Sequence, residues 1–183
     1  PYERTMGWFY QGVLYWMNGE PDNARACFRT AQLMDALAEN NKFRADWILL
    51  DYLDGMVTAK LGDDGSGAFN RAQAHAGDSV LPKYNPNANV MFFLQFGFGP
   101  VKKSGGDVGE EIIYDGGFST ARSARIQVGS RSVIAPIFDD LTYQASTRGG
   151  RAMDAILARK ATIKKPGDTV GDIATIPGII LAD

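Results

Sequence analysis

The chain has 183 residues, of which 45% are hydrophobic and 22% are charged, as in one large or two small folded domains. Its 19 basic and 21 acidic side chains nearly cancel, so no strong positive field is present to hold a nucleic acid backbone. A single cysteine excludes an internal disulfide, and no apolar run approaches the roughly 20 residues of a membrane-spanning helix.

Two helices are predicted in the first forty residues. The first covers about residues 3–18 and ends at Gly19, which tolerates the left-handed conformation that closes a helix. The second begins near Pro21, whose missing N–H is no loss in a first turn, and continues to about residue 39. Because the chain starts inside the first helix, without Met or a secretory signal, we expect it to be a piece of a longer precursor.

Six residues in these helices have a characteristic spacing: Trp8, Gly12, Tyr15, Ala24, Phe28 and Ala31. Residues 1–36 therefore resemble the tetratricopeptide repeat, whose pattern is W-x₂-L-G-x₂-Y followed by A-x₃-F, a second small residue and Pro. Gln11 replaces the Leu and Ala36 replaces the Pro. The resemblance implies a helical hairpin with its closest approach between Gly12 and Ala24, and a surface that holds another chain.

The remaining elements divide the chain into two parts. A third helix is predicted over about residues 43–61 and an Ala-rich fourth over 68–76, together a weaker second repeat. Strands are predicted over 89–96, 111–114, 122–128, 133–138 and 141–145, and a last helix over 151–161. The expected fold class is α+β: helical hairpins over residues 1–77, then a small, mostly antiparallel sheet over 78–183 with a helix near 150–162.

The order of elements also resembles a family of bacterial envelope proteins with tetratricopeptide-like helices before a β-rich region, many of them lipoproteins. The segments that carry this likeness are residues 1–6, 96–102 and 154–159. The family implies a periplasmic or envelope location, and it implies no established reaction. The alternative location is the cytoplasm. No lipidation cysteine lies near the start, because Cys27 falls inside a helix, so a lipid anchor would belong to an absent N-terminal segment.

On the repeat pattern, the groove-facing positions of the first helix are all apolar: Met6, Phe9, Val13, Trp16 and Met17. Fully exposed, they would form a patch larger than soluble monomers normally tolerate. One interpretation is that the chain's own sheet, or an absent N-terminal helix, covers the groove. The other is that the groove binds an apolar helix or extended peptide of a partner protein, with Phe9 and Trp16 as aromatic anchors.

The sequence offers little for catalysis. His75 is the only histidine and is expected to be partly buried, and Cys27 is expected to pack as a small hydrophobic residue. Lys102 and Lys103 are interpreted as a solvated pair. We therefore predict a non-catalytic interaction or scaffold module without metal or cofactor, which binds a protein partner or associates with itself.

Two other hypotheses stay open. The chain could be a carboxylate-dependent hydrolase of envelope polymers, with its site in the β-rich half. The adjacent acids Glu110 and Glu111, and Asp139 and Asp140, cannot serve as facing pairs, because neighbours in a strand point to opposite faces. Carboxylates brought together from different strands would be needed. Alternatively, exposed strands could pair with neighbouring copies to form a filament or ring.

Overall fold

A computed structural model describes residues 2–38, 40–106, 109, 111–116, 120–121, 123–148, 156–157 and 159. Its helices are α1 (Tyr2–Met17), α2 (Pro21–Asp35), α3 (Ile48–Lys60), α4 (Ser66–Ala76) and α5 (Leu141–Thr147). Its strands are β1 (Val101–Gly105), β2 (Glu111–Asp115), β3 (Ser123–Val128) and β4 (Arg131–Pro136). The four long helices come first and the strands follow, so the predicted α+β class is confirmed.

The first hairpin is formed by α1 and α2, which are in close contact through a glycine and a phenylalanine. A Cβ added at Gly12 would lie 2.6 Å from Cε1 of Phe28, closer than real Cβ contacts come. Phe28 itself is fully buried. The sequence predicted the closest approach between Gly12 and Ala24. In the structure the nearest atoms to Gly12 belong to the ring of Phe28, and Ala24 is buried in the same core.

The second hairpin, α3 and α4, has the same kind of contact. A Cβ at Gly55 would lie 2.9 Å from the ring of Phe69, so a glycine again lets an aromatic ring approach the facing helix. Leu50, Leu53 and Val57 of α3 join Phe28 in one core cluster. Burial of this cluster stacks the two hairpins, because neither hairpin can cover its apolar face alone.

The strands form two separate antiparallel pairs. In one, Val101 of β1 lies opposite Asp115 of β2; in the other, Ser123 of β3 lies opposite Pro136 of β4. The strands predicted at 111–114, 122–128 and 133–138 correspond to β2, β3 and β4 with small shifts, whereas β1 was not predicted.

Two predicted strands are absent from the described residues. Residues 141–145 lie in α5, because the side chain of Asp140 accepts hydrogen bonds from the backbone N–H groups of Thr142 and Tyr143 and so starts a helix. Residues 89–96 have no regular secondary structure and no strand partner. The helix predicted over 151–161 falls mostly outside the described residues. Within that range the structure describes Ile156, Leu157 and Arg159, and all three are helical.

We expect Gly12→Ala to lower the free energy of unfolding by about 1–3 kcal/mol, because the added methyl overlaps a ring that is already fully buried. The matched control is Gly7→Ala in the same helix, where a Cβ meets nothing within 4 Å. That change should raise the free energy of unfolding by up to about 1 kcal/mol, since alanine has the higher helix propensity. Urea unfolding measures the free energy of unfolding of both variants. Equal changes for Gly12→Ala and Gly7→Ala would contradict the Gly12–Phe28 contact.

Candidate interaction surface

A segment without helix or strand connects α4 to β1 and contacts α1, α3 and α4. We call this segment, residues 82–96, the strap. At its start, the hydroxyl of Tyr52 on α3 donates a hydrogen bond to the carbonyl of Pro82 at 2.8 Å. Tyr84 then stacks on Phe69 of α4, with ring centroids 5.9 Å apart. These contacts attach the first part of the strap to the second hairpin.

The rest of the strap lies on α1. Met91 packs against the core cluster, and the ring of Phe93 meets that of Phe9 edge to face, with centroids 6.0 Å apart. Nε2 of Gln95 donates a hydrogen bond of 2.7 Å to the hydroxyl of Tyr10. The chain then continues to β1, where Lys102 forms an ion pair with Glu3 near the start of α1. The strap and β1 therefore follow α1 towards its N-terminus.

The structure places the five predicted groove residues in three environments. Phe9 is buried, so it cannot anchor a partner as predicted. Met6, Val13 and Trp16 are partly buried against the core. Met17 alone of the five is largely free, with 78% of its surface exposed. Phe9 and Trp16 pack against Phe28 of α2, and Phe9 also contacts Phe93 of the strap, so contacts within this chain cover these two positions of the predicted groove.

The six repeat-defining residues differ in how deeply they are buried. Gly12, Ala24, Phe28 and Ala31 are buried, in keeping with positions that determine helix packing. The other two lie on α1: Tyr15 is partly buried, and Trp8 is 37% exposed.

A cavity of about 240 Å³ remains between the strap and the helices. Trp16, Tyr52 and Met56 line it from the helices, and Tyr84 and Met91 line it from the strap. Its remaining lining includes lysine and asparagine side chains but no carboxylate. The strap therefore does not fill the space beside Trp16 completely.

The outward face of the strap is apolar and exposed. Val90, Phe92 and Leu94 are 63%, 54% and 41% exposed. Met91, Phe93 and Gln95 contact the helices, although Phe93 is still 36% exposed. No backbone hydrogen bond joins residues 89–96 to the described part of the chain. Residues 84–101 also contain no charged side chain.

A buried arginine attaches α5 to the helical hairpins. The side chain of Arg148 is fully buried, and its Nε donates a hydrogen bond of 2.6 Å to Oδ1 of Asp35. Its Nη2 contacts Asp46 and Gln144. Asp35 is the last residue of α2, where the helix dipole disfavours a negative charge. Arg148 supplies the compensating cation, and removal of one member of such a pair typically costs 3–5 kcal/mol.

Asp139 lies beside this ion pair. Its Oδ2 accepts a hydrogen bond of 2.8 Å from the backbone N–H of Leu49 at the start of α3. Burial, reinforced by the charges of Asp46 and Asp35, raises the pKa of Asp139 to about 7. Burial also raises the pKa of Asp35 to about 6, although Arg148 opposes this shift. The three acids thus come from both halves of the chain, but none of them lines the cavity beside Trp16.

Other predicted residues have different environments. His75 is exposed rather than partly buried, because Ala68 and Ala72 form the buried face of α4. Cys27 is buried, as predicted. Lys102 and Lys103 are exposed, as predicted, and they form surface ion pairs with Glu3 and Asp115. Glu110 lies outside the described residues. Within the described ranges, no cluster of three His, Cys, Asp or Glu side chains is arranged to hold a metal ion.

No family model, curated protein or solved structure matches this chain. None of the described helices is long and apolar enough to cross a membrane. The surface must therefore be interpreted from its own geometry.

The contact of Phe93 with Phe9 was not predicted, because residues 90–94 are a continuous apolar run in which no period marks one face. The Arg148–Asp35 pair was not predicted either, because no local pattern indicates it.

We expect Phe93→Ala to destabilise the protein by about 2 kcal/mol, because it removes the ring that contacts Phe9. This loss is smaller than for a fully buried phenylalanine, since Phe93 is 36% exposed. Phe92→Ala is the matched control, an identical change at the neighbouring outward position. It should alter the free energy of unfolding by less than about 0.5 kcal/mol. Denaturant unfolding of the monomer compares them, and a larger loss for Phe92→Ala would reverse the assigned faces of the strap.

The pKa of Asp139 has a consequence for stability. The folded protein holds its proton up to about pH 7, whereas an unfolded aspartate loses it near pH 3.9. The free energy of unfolding should therefore fall as the pH rises from about 4 to 7. Asp139→Asn should match the wild type near pH 4.5 and be more stable by roughly 2–4 kcal/mol at pH 8.

Thermal or urea unfolding at the two pH values measures this difference. Asp140→Asn is the control, because asparagine caps a helix about as well as aspartate and the change should have the same small effect at both pH values. An Asp139→Asn variant that is no more stable than the wild type at pH 8 would contradict the raised pKa.

Proposed function

We propose that this protein is a non-catalytic protein–protein interaction module, a subunit of a bacterial envelope-associated assembly. One observation supports this most directly: residues 90–94 of the strap present exposed apolar side chains, and no backbone–backbone hydrogen bond joins residues 89–96 to the described chain. Exposed apolar patches of several hundred Å² on a soluble protein commonly mark an interaction site.

The proposed contact surface differs from the groove predicted on the first helix. Phe9 of that groove is buried and contacts Phe93 of the strap. We therefore assign the contact to the outward face of the strap, formed by Val90, Phe92 and Leu94 and extended by Phe98, which is 80% exposed. The helical hairpins then act as the rigid support of this face.

The proposed mode of binding is strand addition. A segment whose backbone N–H and C=O groups have no backbone partner, as at residues 89–96, can pair with an extended strand of another chain. The backbone bonds supply affinity, and the side chains at alternate positions supply specificity. Because residues 84–101 are uncharged, the partner strand is expected to be apolar or neutral rather than acidic or basic.

The alternative function, hydrolysis of envelope polymers, would use the carboxylates of Asp35, Asp46 and Asp139. The raised pKa of Asp139 is a property of many general acids. However, Asp35 and Arg148 are fully enclosed, and a polymer could not reach this cluster without separating α5 from α2. We therefore prefer the interaction module. The envelope location and an N-terminal lipid anchor are proposed from the family resemblance alone.

We expect Phe92→Asp to abolish partner capture, because it puts a charge at the centre of the apolar face. The control is Met17→Asp, which changes an even more exposed apolar residue on α1 and should leave capture intact. Affinity purification from an envelope fraction, with matched circular dichroism spectra for the variants, measures this. Loss with Met17→Asp but not with Phe92→Asp would return the contact to the first helix.

A further inference from the structure

We propose that α5 is a pH-sensitive latch, which is closed on the helical hairpins while Asp139 is protonated and opens as Asp139 ionises. The latch consists of α5, with Asp139 before it and Arg148 after it. It uses no residue of the strap, so it does not depend on the proposed function. The helix has only seven residues, and a helix of that length is not stable by itself in water. Its presence therefore depends on its contacts with the hairpins.

The contacts that hold α5 are mainly polar. Its apolar contribution comes from Leu141, which packs against the core cluster, and from Ala145, which is fully buried. The hydroxyl of Tyr143 donates a hydrogen bond of 3.1 Å to Oδ2 of Asp46, and Nη2 of Arg148 donates to the same carboxylate. Because the apolar contact is small, closure of the latch is sensitive to the charge of the acids that face it.

Three carboxyl groups share one guanidinium at this contact. Arg148 forms ion pairs with Asp35 of α2 and with Asp46, which precedes α3. Asp139 forms no ion pair with the described residues, and its two oxygens accept hydrogen bonds from neutral N–H groups at 2.8 and 3.3 Å. A third negative charge in this enclosed site therefore has no counter-ion, which is costly. Ionisation of Asp139 thus opposes closure.

The direction of the pH effect follows from the proton that the closed latch retains. Burial, and then the charges of Asp46 and Asp35, raises the pKa of Asp139 to about 7, whereas an exposed aspartate ionises near pH 3.9. Closure is therefore fully favoured below about pH 4 and weakens as the pH rises through 7. Asp35, whose pKa burial raises to about 6, acts in the same direction at lower pH. Tyr143 stays protonated, because burial raises its pKa.

The closed latch covers an aromatic ring of the core. The guanidinium carbon of Arg148 lies 6.0 Å from the ring centroid of Trp47, which is only 3% exposed. Tyr2 of α1 stacks on the same indole, with centroids 6.1 Å apart. Opening of the latch moves Arg148 away and therefore exposes part of Trp47 beside α1.

Native-state hydrogen exchange of the full chain measures the opening of α5, after correction for the intrinsic pH dependence of exchange. Between pH 6 and 8 we expect the opening constant of wild-type α5 to rise about tenfold, since Asp139 ionises in this range. In Asp139→Asn the rise should be about twofold at most, the part that belongs to Asp35. Asp140→Asn is the control and should keep the tenfold rise, because asparagine also caps a helix.

Low concentrations of urea test whether the latch opens by itself. Opening of α5 alone exposes little surface, so its exchange should be nearly independent of urea up to about 1 M, whereas exchange around Phe28 of α2 should accelerate. If α5 shows the urea dependence of α2, it opens only with global unfolding and the proposal is wrong. An equal pH response in wild type and Asp139→Asn, or none in wild type, would also overturn it. If Asp139→Asn does not fold, the wild-type pH and urea series decide the proposal.

Discussion

The contact between Gly12 and the ring of Phe28 determines how the first two helices meet, and the other features of the molecule depend on it. With no side chain at Gly12, α1 lies against a fully buried aromatic ring. That packing places Phe28 in one core with Leu50 and Leu53 of α3, and it leaves Phe9 at the edge of this core. Phe9 is the residue on which the strap then packs.

Local patterns predicted the parts of the fold that local interactions determine. The spacing of Trp8, Gly12 and Phe28 predicted both helices of the first hairpin to within a few residues, because helix packing repeats along the sequence. The α5 helix was mistaken for a strand, since its apolar residues are few and Asp140 alone signals its start. The Arg148–Asp35 pair joins positions far apart in the chain, and nothing near either residue indicates the other.

The strap is the case in which the sequence signal was misleading. Residues 90–94 form a continuous apolar run that predicted a buried strand, but such a run does not show whether another strand or a helix will cover it. Here Met91 and Phe93 pack on the helices, and no backbone–backbone hydrogen bond joins residues 89–96 to the described chain. The same short segment therefore contacts the helical hairpins and also carries the exposed apolar residues of the proposed contact surface.

Amide hydrogen exchange over residues 89–96 tests this description most directly, because it reports backbone hydrogen bonds rather than side-chain contacts. We expect these amides to exchange at nearly the rate of an unstructured peptide, while those of α2 around Phe28 are strongly protected. Strong protection of residues 89–96 would mean that their backbone already pairs within the chain, and would contradict the account.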